Sequence, residues 1–182
     1  MRTLILIAIL LAQLDPSLVP RKLSRPTLPR VDEHACPFEG CRFGKWTVRQ
    51  DVALYSTWKR NRTVVGRLRK GQVVTATTGI NITFEPSEIV VTAPIPQYNL
   101  QPGDRVFGYM NVGEGFLNAW FNGFWVDLFD SSAIAPGCVR NCAGKFVKPG
   151  RYEWWVRIRF GDRLTGWSNQ TDRFDGKDAL GG

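Results

Sequence analysis

Residues 155–160 read WVRIRF, with Val156, Ile158 and Phe160 alternating with Arg157 and Arg159. In an extended strand successive side chains leave on opposite faces, so three apolar groups point to a core and two guanidinium groups to water. Working outward, QVVTAT (72–77), INITF (80–84), EIVVTA (88–93) and RVFGYM (105–110) are also short runs rich in β-branched and aromatic residues. Each is bounded by Gly, Pro, Asn or Asp, the residues that end strands. In EGFLNAWFNGFW (114–125) the Asn122-Gly123 pair predicts a two-residue hairpin turn between two strands. No stretch beyond the N-terminal apolar run keeps a helical period over ten residues, so an all-β protein is predicted.

The N-terminus has a different character. Met1 and Arg2 precede TLILIAILLA (3–12), an apolar run that Gln13, Asp15 and Pro16 terminate. That run is shorter than the roughly 20 apolar residues a spanning helix needs. It has the form of a secretory signal peptide over 1–12, which predicts a periplasmic or secreted protein with no transmembrane segment in the mature chain. Residues 13–35 carry Pro16, Pro20, Pro26 and Pro29 among Arg21, Lys22, Arg25 and Arg30, and read as an extended linker. The folded part is then expected over 36–182, enough for one domain or two very small ones.

The chain has 24 Lys and Arg against 16 Asp and Glu, a net charge of +8. Five of those cations and three of those acids precede Cys36, so the folded part keeps 19 against 13 and stays basic by +6. Lys59, Arg60, Arg62, Arg67, Arg69 and Lys70 fall within twelve residues. Such a run is either an ordinary solvated face or a patch that attracts anionic polymers.

Cysteines occur as two close pairs, Cys36 with Cys41 in CPFEGC and Cys138 with Cys142 in CVRNC. In an oxidising compartment an even count predicts disulfides, and Pro37 and Gly40 favour a loop that folds back on itself. Local bridges Cys36–Cys41 and Cys138–Cys142 are expected, with pairing between the distant segments left open. A four-thiolate zinc site, with or without His34, is the competing reading that export disfavours. No metal and no other cofactor is expected.

Catalytic machinery is not legible. His34 is the one histidine and lies in the linker, so a triad or a Cys-His pair lacks its base. Asp104, Glu114, Asp127 and Asp130 leave room for a carboxylate-dependent glycan hydrolase, which needs two acids at a suitable separation. The expectation is a protein that is not an enzyme. Seven aromatics between Phe107 and Trp125 are either core or a stacking surface. The sequons at Asn61, Asn81 and Asn169 matter only in a eukaryotic secretory pathway.

The stretch VALYSTWKRNRTVVGRLRKGQVVTATTG (52–79) is similar to the opening half of a bacterial Src-homology-3-like domain, and WWVRIRFGDRLTGWS (154–168) to its closing hairpin. With CPFEGC and Trp46, LQPGD (100–104), GEGF (113–116) and FDGKDALG (174–181), almost the whole mature chain resembles a family of exported bacterial proteins of uncharacterised function. The chain departs from the simple domain in the long segment between Gly79 and Trp154. The resemblance therefore implies an SH3-like small β-barrel from halves 45–79 and 154–174 with an inserted β unit over 80–150, or two small barrels sharing strands. It also implies a non-catalytic binding module whose peptide groove uses the matching positions Tyr55, Trp58, Trp155 and Trp167, the last read as the more buried. Arg60, Arg62 and Arg69 would draw in the ligand. The expected partner is peptidoglycan or another anionic envelope polymer. An envelope protein docking on the aromatic band is the alternative, and no nucleic acid is expected.

Overall fold

The computed structural model describes residues 21–22, 25–132, 134 and 142–180. The signal-peptide reading of residues 1–12 lies outside them. Among the described residues there is no α-helix, only strands and two short 3-10 turns, so the protein is all-β. Every strand pairing is antiparallel, which suits a chain whose connections are mostly tight turns.

In chain order the strands are β1 (Arg21–Lys22), β2 (Arg30–Glu33), β3 (Gly44–Val48), β4 (Val52–Tyr55), β5 (Val64–Leu68), β6 (Val73–Glu85) and β7 (Ser87–Val91). They continue as β8 (Arg105–Gly113), β9 (Phe116–Phe121), β10 (Phe124–Asp130), β11 (Gly144–Lys148), β12 (Arg151–Phe160), β13 (Leu164–Ser168) and β14 (Phe174–Asp175). One sheet, curled as a half-barrel, runs β14-β3-β6-β12-β13-β4-β5. The other runs β1-β10-β9-β8-β7-β11. The strands from 45–79 and those from 154–174 thus share the first sheet, while 87–148 supply most of the second.

The spine of the first sheet is the pairing of β6 with β12, from Arg151↔Glu85 to Arg159↔Thr75, with register shifts at Arg151/Tyr152 and Arg157/Ile158. β3 covers only the first half of the other edge of β6, from Gly44↔Ala76 to Thr47↔Val73. The second half is covered by β2, from Arg30↔Thr83 to Glu33↔Ile80. The segment read as a linker over 13–35 is therefore in part folded. Ala35 is buried, and its backbone N–H donates to Gly79 O at 2.9 Å. Composition hides this because backbone pairing asks nothing of the side chains, and an uncovered edge of β6 is what draws the segment in.

Each sheet has its own core. In the first, Trp46, Val48, Leu54, Leu68, Val74, Val156, Ile158 and Phe174 pack together, with Phe160 half-buried beside them. Val156, Ile158 and Phe160 thus face inward as the alternation requires, and Arg157 and Arg159 are exposed. In the second, Ile89, Val91, Leu100, Val106, Phe121 and Phe129 form the core. The hairpin at 121–124 forms as read, with Asn122 at φ 48° and Gly123 at φ 84°. Those two left-handed residues give a turn whose twist matches the flanking strands. The sheets meet through polar contacts: Thr83 Oγ1 donates to Tyr109 O at 2.6 Å, and Tyr152 Oη donates to Gly108 O at 2.9 Å.

Candidate functional site

The face of the first sheet opposite its core carries a second, aromatic cluster. Trp155 leaves β12 on the side away from Val156 and Ile158 and packs on Ile80 and Ile82, with Tyr55, Trp58, Phe84 and Trp167 half-buried around it. Register accounts for the gathering: Trp155 lies opposite Ile80, and Trp167 is the strand partner of both Arg157 and Tyr55. Tyr55 meets Trp155 edge-on, with ring centroids 6.0 Å apart.

The β4–β5 loop closes over this cluster. Ser56 N–H donates to Thr63 O at 2.9 Å, and Thr63 N–H donates back to Ser56 Oγ at 3.1 Å, which pins the two ends of the loop. Arg62 is thereby brought over the aromatics. Its Cζ lies 4.7 Å from the Trp155 ring centroid and 5.5 Å from that of Tyr55. Lys59 Nζ stands 5.6 Å from the Trp58 ring. A guanidinium over an indole face contributes about 0.5–2 kcal/mol, more where water is excluded. At the edge of the indole, Trp155 Nε1 donates to Glu153 Oε2 at 2.8 Å.

Of the residues expected in a groove, Tyr55, Trp58, Arg62, Trp155 and Trp167 come together and Arg60 stands exposed in the same loop. Two expectations change. Trp155 has no exposed surface, so it underlies the site and is not an open stacking face. The resemblance implied a groove position for it, but Tyr55, Trp58 and Trp167 cover the sheet at this point. Arg69 lies at the far end of β5, roughly 20 Å from Arg62 along a strand rising about 3.3 Å per residue. There it pairs with Asp51 at 2.7 Å. The run of six cations is therefore divided, with Lys59, Arg60 and Arg62 in the β4–β5 loop, Arg67 within β5, and Arg69 and Lys70 in the turn after it. Among the described residues Lys59, Arg60 and Arg62 form no ion pair. Glu153 went unnoticed in the sequence, although a two-residue spacing on one strand is the signal that would have found it.

The Asp51 carboxyl is held below the ordinary carboxylate range, chiefly by the Lys70 backbone N–H and then by the Arg69 side chain, both of which bond its charged form. A depressed folded-state value means that this carboxylate supports the turn above the unfolded value of about 3.9. The support is lost as pH falls through the lower folded value. An NMR titration of the Asp51 carboxyl carbon is expected to show a midpoint below about 3.9, with the Lys70 amide shifting in step. A midpoint at or above that value would contradict the assignment.

Elsewhere, Cys36 and Cys41 are joined in a disulfide, so neither is available as a zinc thiolate. The expected Cys138–Cys142 bridge involves Cys138, which lies outside the described residues. The aromatic band divides: Tyr109 and Phe121 are buried, while Phe107, Trp120 and Trp125 form one cross-strand row of half-buried rings. Arg25 lies 3.9 Å over Phe107 and Arg30 4.2 Å over Trp125, so the chain's own N-terminal segment occupies that face. The four candidate acids serve turns and strands. Asp104 accepts from Gln101 N–H, Asp127 from Trp125 Nε1, and Glu114 sits at a turn with φ 50°. Ser132 holds Asp130 below the ordinary range through its side chain and then its backbone N–H, the opposite of what a general acid requires. Asn81, within a sequon, is buried.

Comparison of the chain with family models, with curated proteins and with solved structures finds no match.

Proposed function

We propose that this protein is a non-catalytic, exported binding module that holds peptidoglycan or another anionic envelope polymer on the surface formed by Tyr55, Trp58, Trp167 and the loop carrying Lys59, Arg60 and Arg62. The observation that carries this reading is the convergence of Tyr55, Trp58, Trp155 and Trp167 on one sheet face, with Lys59 and Arg62 over their rings and Arg60 exposed in the same loop, none of the three cations having an acidic partner among the described residues. Unpaired guanidinium groups attract carboxylate or phosphate from a distance, and half-exposed rings hold the sugar or peptide by contact. Trp155 supports the surface from beneath. The resemblance to Src-homology-3-like domains supports a binding role, and the Cys36–Cys41 disulfide fits an oxidising compartment. Among the described residues no helix is long and apolar enough to cross a membrane. Docking of a partner on the aromatic band is the weaker reading, because Arg25 and Arg30 already cover part of that face.

A pull-down on purified peptidoglycan across a salt series tests this. Retention is expected at low salt, weakening as salt screens Lys59, Arg60 and Arg62. Trp58→Ala and Arg62→Gln are each expected to weaken retention about tenfold, in keeping with about 1–2 kcal/mol for a ring contact or a charged hydrogen bond. No retention at low salt, or equal retention by the Trp58→Ala/Arg62→Gln double variant, would defeat the proposal.

A further inference from the structure

Between the two sheets lies an open cleft of about 590 Å³, within the size range of small-molecule sites. It is built from β6, β7, β8, β9, β11 and β12 and does not include the Arg62 surface. In a chain with 24 basic and 16 acidic residues, no Asp, Glu, Lys, Arg or His among the described residues lines it. Apolar contact comes from Met110, Leu117 and Trp154. A charged ligand would find nothing there to neutralise it, so the cleft suits an uncharged one.

Two amide side chains define what that ligand must present. Asn81 is only 3 % exposed and lines the cleft. Its Nδ2 donates to Thr83 Oγ1 at 3.4 Å. Thr83 gives its single hydroxyl proton to Tyr109 O at 2.6 Å, so Oγ1 can only accept there, and that fixes which end of the Asn81 amide faces it. The Asn81 carbonyl oxygen then has no donor among the described residues and is free to accept from a group in the cleft. Asn111, exposed on the cleft wall, presents the complementary group. Its Oδ1 accepts the Gly113 N–H at 2.8 Å, while its Nδ2 has no acceptor among the described residues. One wall therefore offers an unused acceptor, another an unused donor, and apolar side chains lie beside them.

We infer that the cleft is a second binding site, for an uncharged ligand carrying a secondary amide. The amide N–H is received by Asn81 Oδ1 and its carbonyl by Asn111 Nδ2, and the alkyl group packs on Met110, Leu117 and Trp154. An acetamido sugar and a peptide bond share this chemistry. The site is independent of the proposed wall-binding surface, since none of its residues belongs to that surface.

The test is a titration of the full ¹⁵N-labelled chain, followed at the side-chain amides of Asn81 and Asn111 and the indole N–H of Trp154. N-acetylglucosamine and N-acetylalanine methylamide serve as probes, with glucosamine and glucose as amide-free controls. The expected result is saturable shifts at those three groups with an amide probe and none with the controls, and the tighter probe identifies the source. Asn81→Leu is expected to weaken binding about tenfold, the loss of one buried hydrogen bond. Asn111→Ala, at an exposed position, does the same and serves if Asn81→Leu fails to fold. Arg62→Gln should leave the titration unchanged, so the two sites stand or fall separately. Absence of shifts with both amide probes, equal response to glucose or glucosamine, or full affinity in Asn111→Ala would each overturn the inference and leave a hydrated groove between sheets.

Discussion

Trp155→Ala is expected to lower the unfolding free energy by about 3–5 kcal/mol, the range for truncating a buried large aromatic. The indole is fully buried among Ile80, Ile82, Tyr55 and Trp167, beneath Arg62, and its Nε1 bonds Glu153. Truncation leaves a cavity, strands the Arg62 guanidinium without its ring and leaves Glu153 without its donor. Chemical denaturation monitored by far-ultraviolet dichroism measures the loss. Trp58→Ala, at a half-buried ring on the loop, should cost much less stability while costing wall retention. A loss below about 1 kcal/mol for Trp155→Ala would show that this residue is not the support described here.

The second large effect concerns Gly79→Ala, expected to destabilise by about 2–4 kcal/mol through overpacking and a broken strap. A methyl at Gly79 runs into the carbonyl oxygen of Ala35 and comes within 2.5 Å of Trp154 Nε1. Those two groups hold the N-terminal segment down: Trp154 Nε1 donates to Ala35 O at 2.9 Å, and Ala35 N–H to Gly79 O. The methyl has no room without moving backbone, so residues 30–35 must lift from β6. Amide exchange of Val31 and Glu33 should accelerate far more than that of Val156 or Ile158 in the adjoining core. Unchanged protection along Arg30–Glu33 would contradict this account.

Local pattern carried the reading where local rules act. WVRIRF places Val156 and Ile158 in a core because strand side chains alternate, and Asn122-Gly123 turns because both residues tolerate left-handed backbone angles. CPFEGC closes on itself because the four residues between the cysteines, Pro37 and Gly40 among them, bring Cys36 within 5.5 Å of Cys41, Cα to Cα. The grouping of Tyr55, Trp58, Trp155 and Trp167 was reached through family resemblance and Arg62 was added from the run of cations; the structure brings these five to one sheet face.

Properties that depend on what lies across the sheet were out of reach. Trp155 is buried because the β4–β5 loop folds over its ring, and no spacing in WWVRIRF records that loop. Arg69 stands apart from the site because β5 carries it to the far end of the strand, where it pairs with Asp51. Arg30–Glu33 becomes a strand because β3 begins only at Gly44, opposite Ala76, and leaves the later part of that edge of β6 uncovered. Asn81 and Asn111 face one cleft because two separate sheets meet there. Alternation, turn chemistry and cysteine spacing are short-range and can be read from neighbouring residues. Burial of a second face, choice of ion-pair partner and the shape of a gap arise from contacts between distant segments, which only the folded chain brings together.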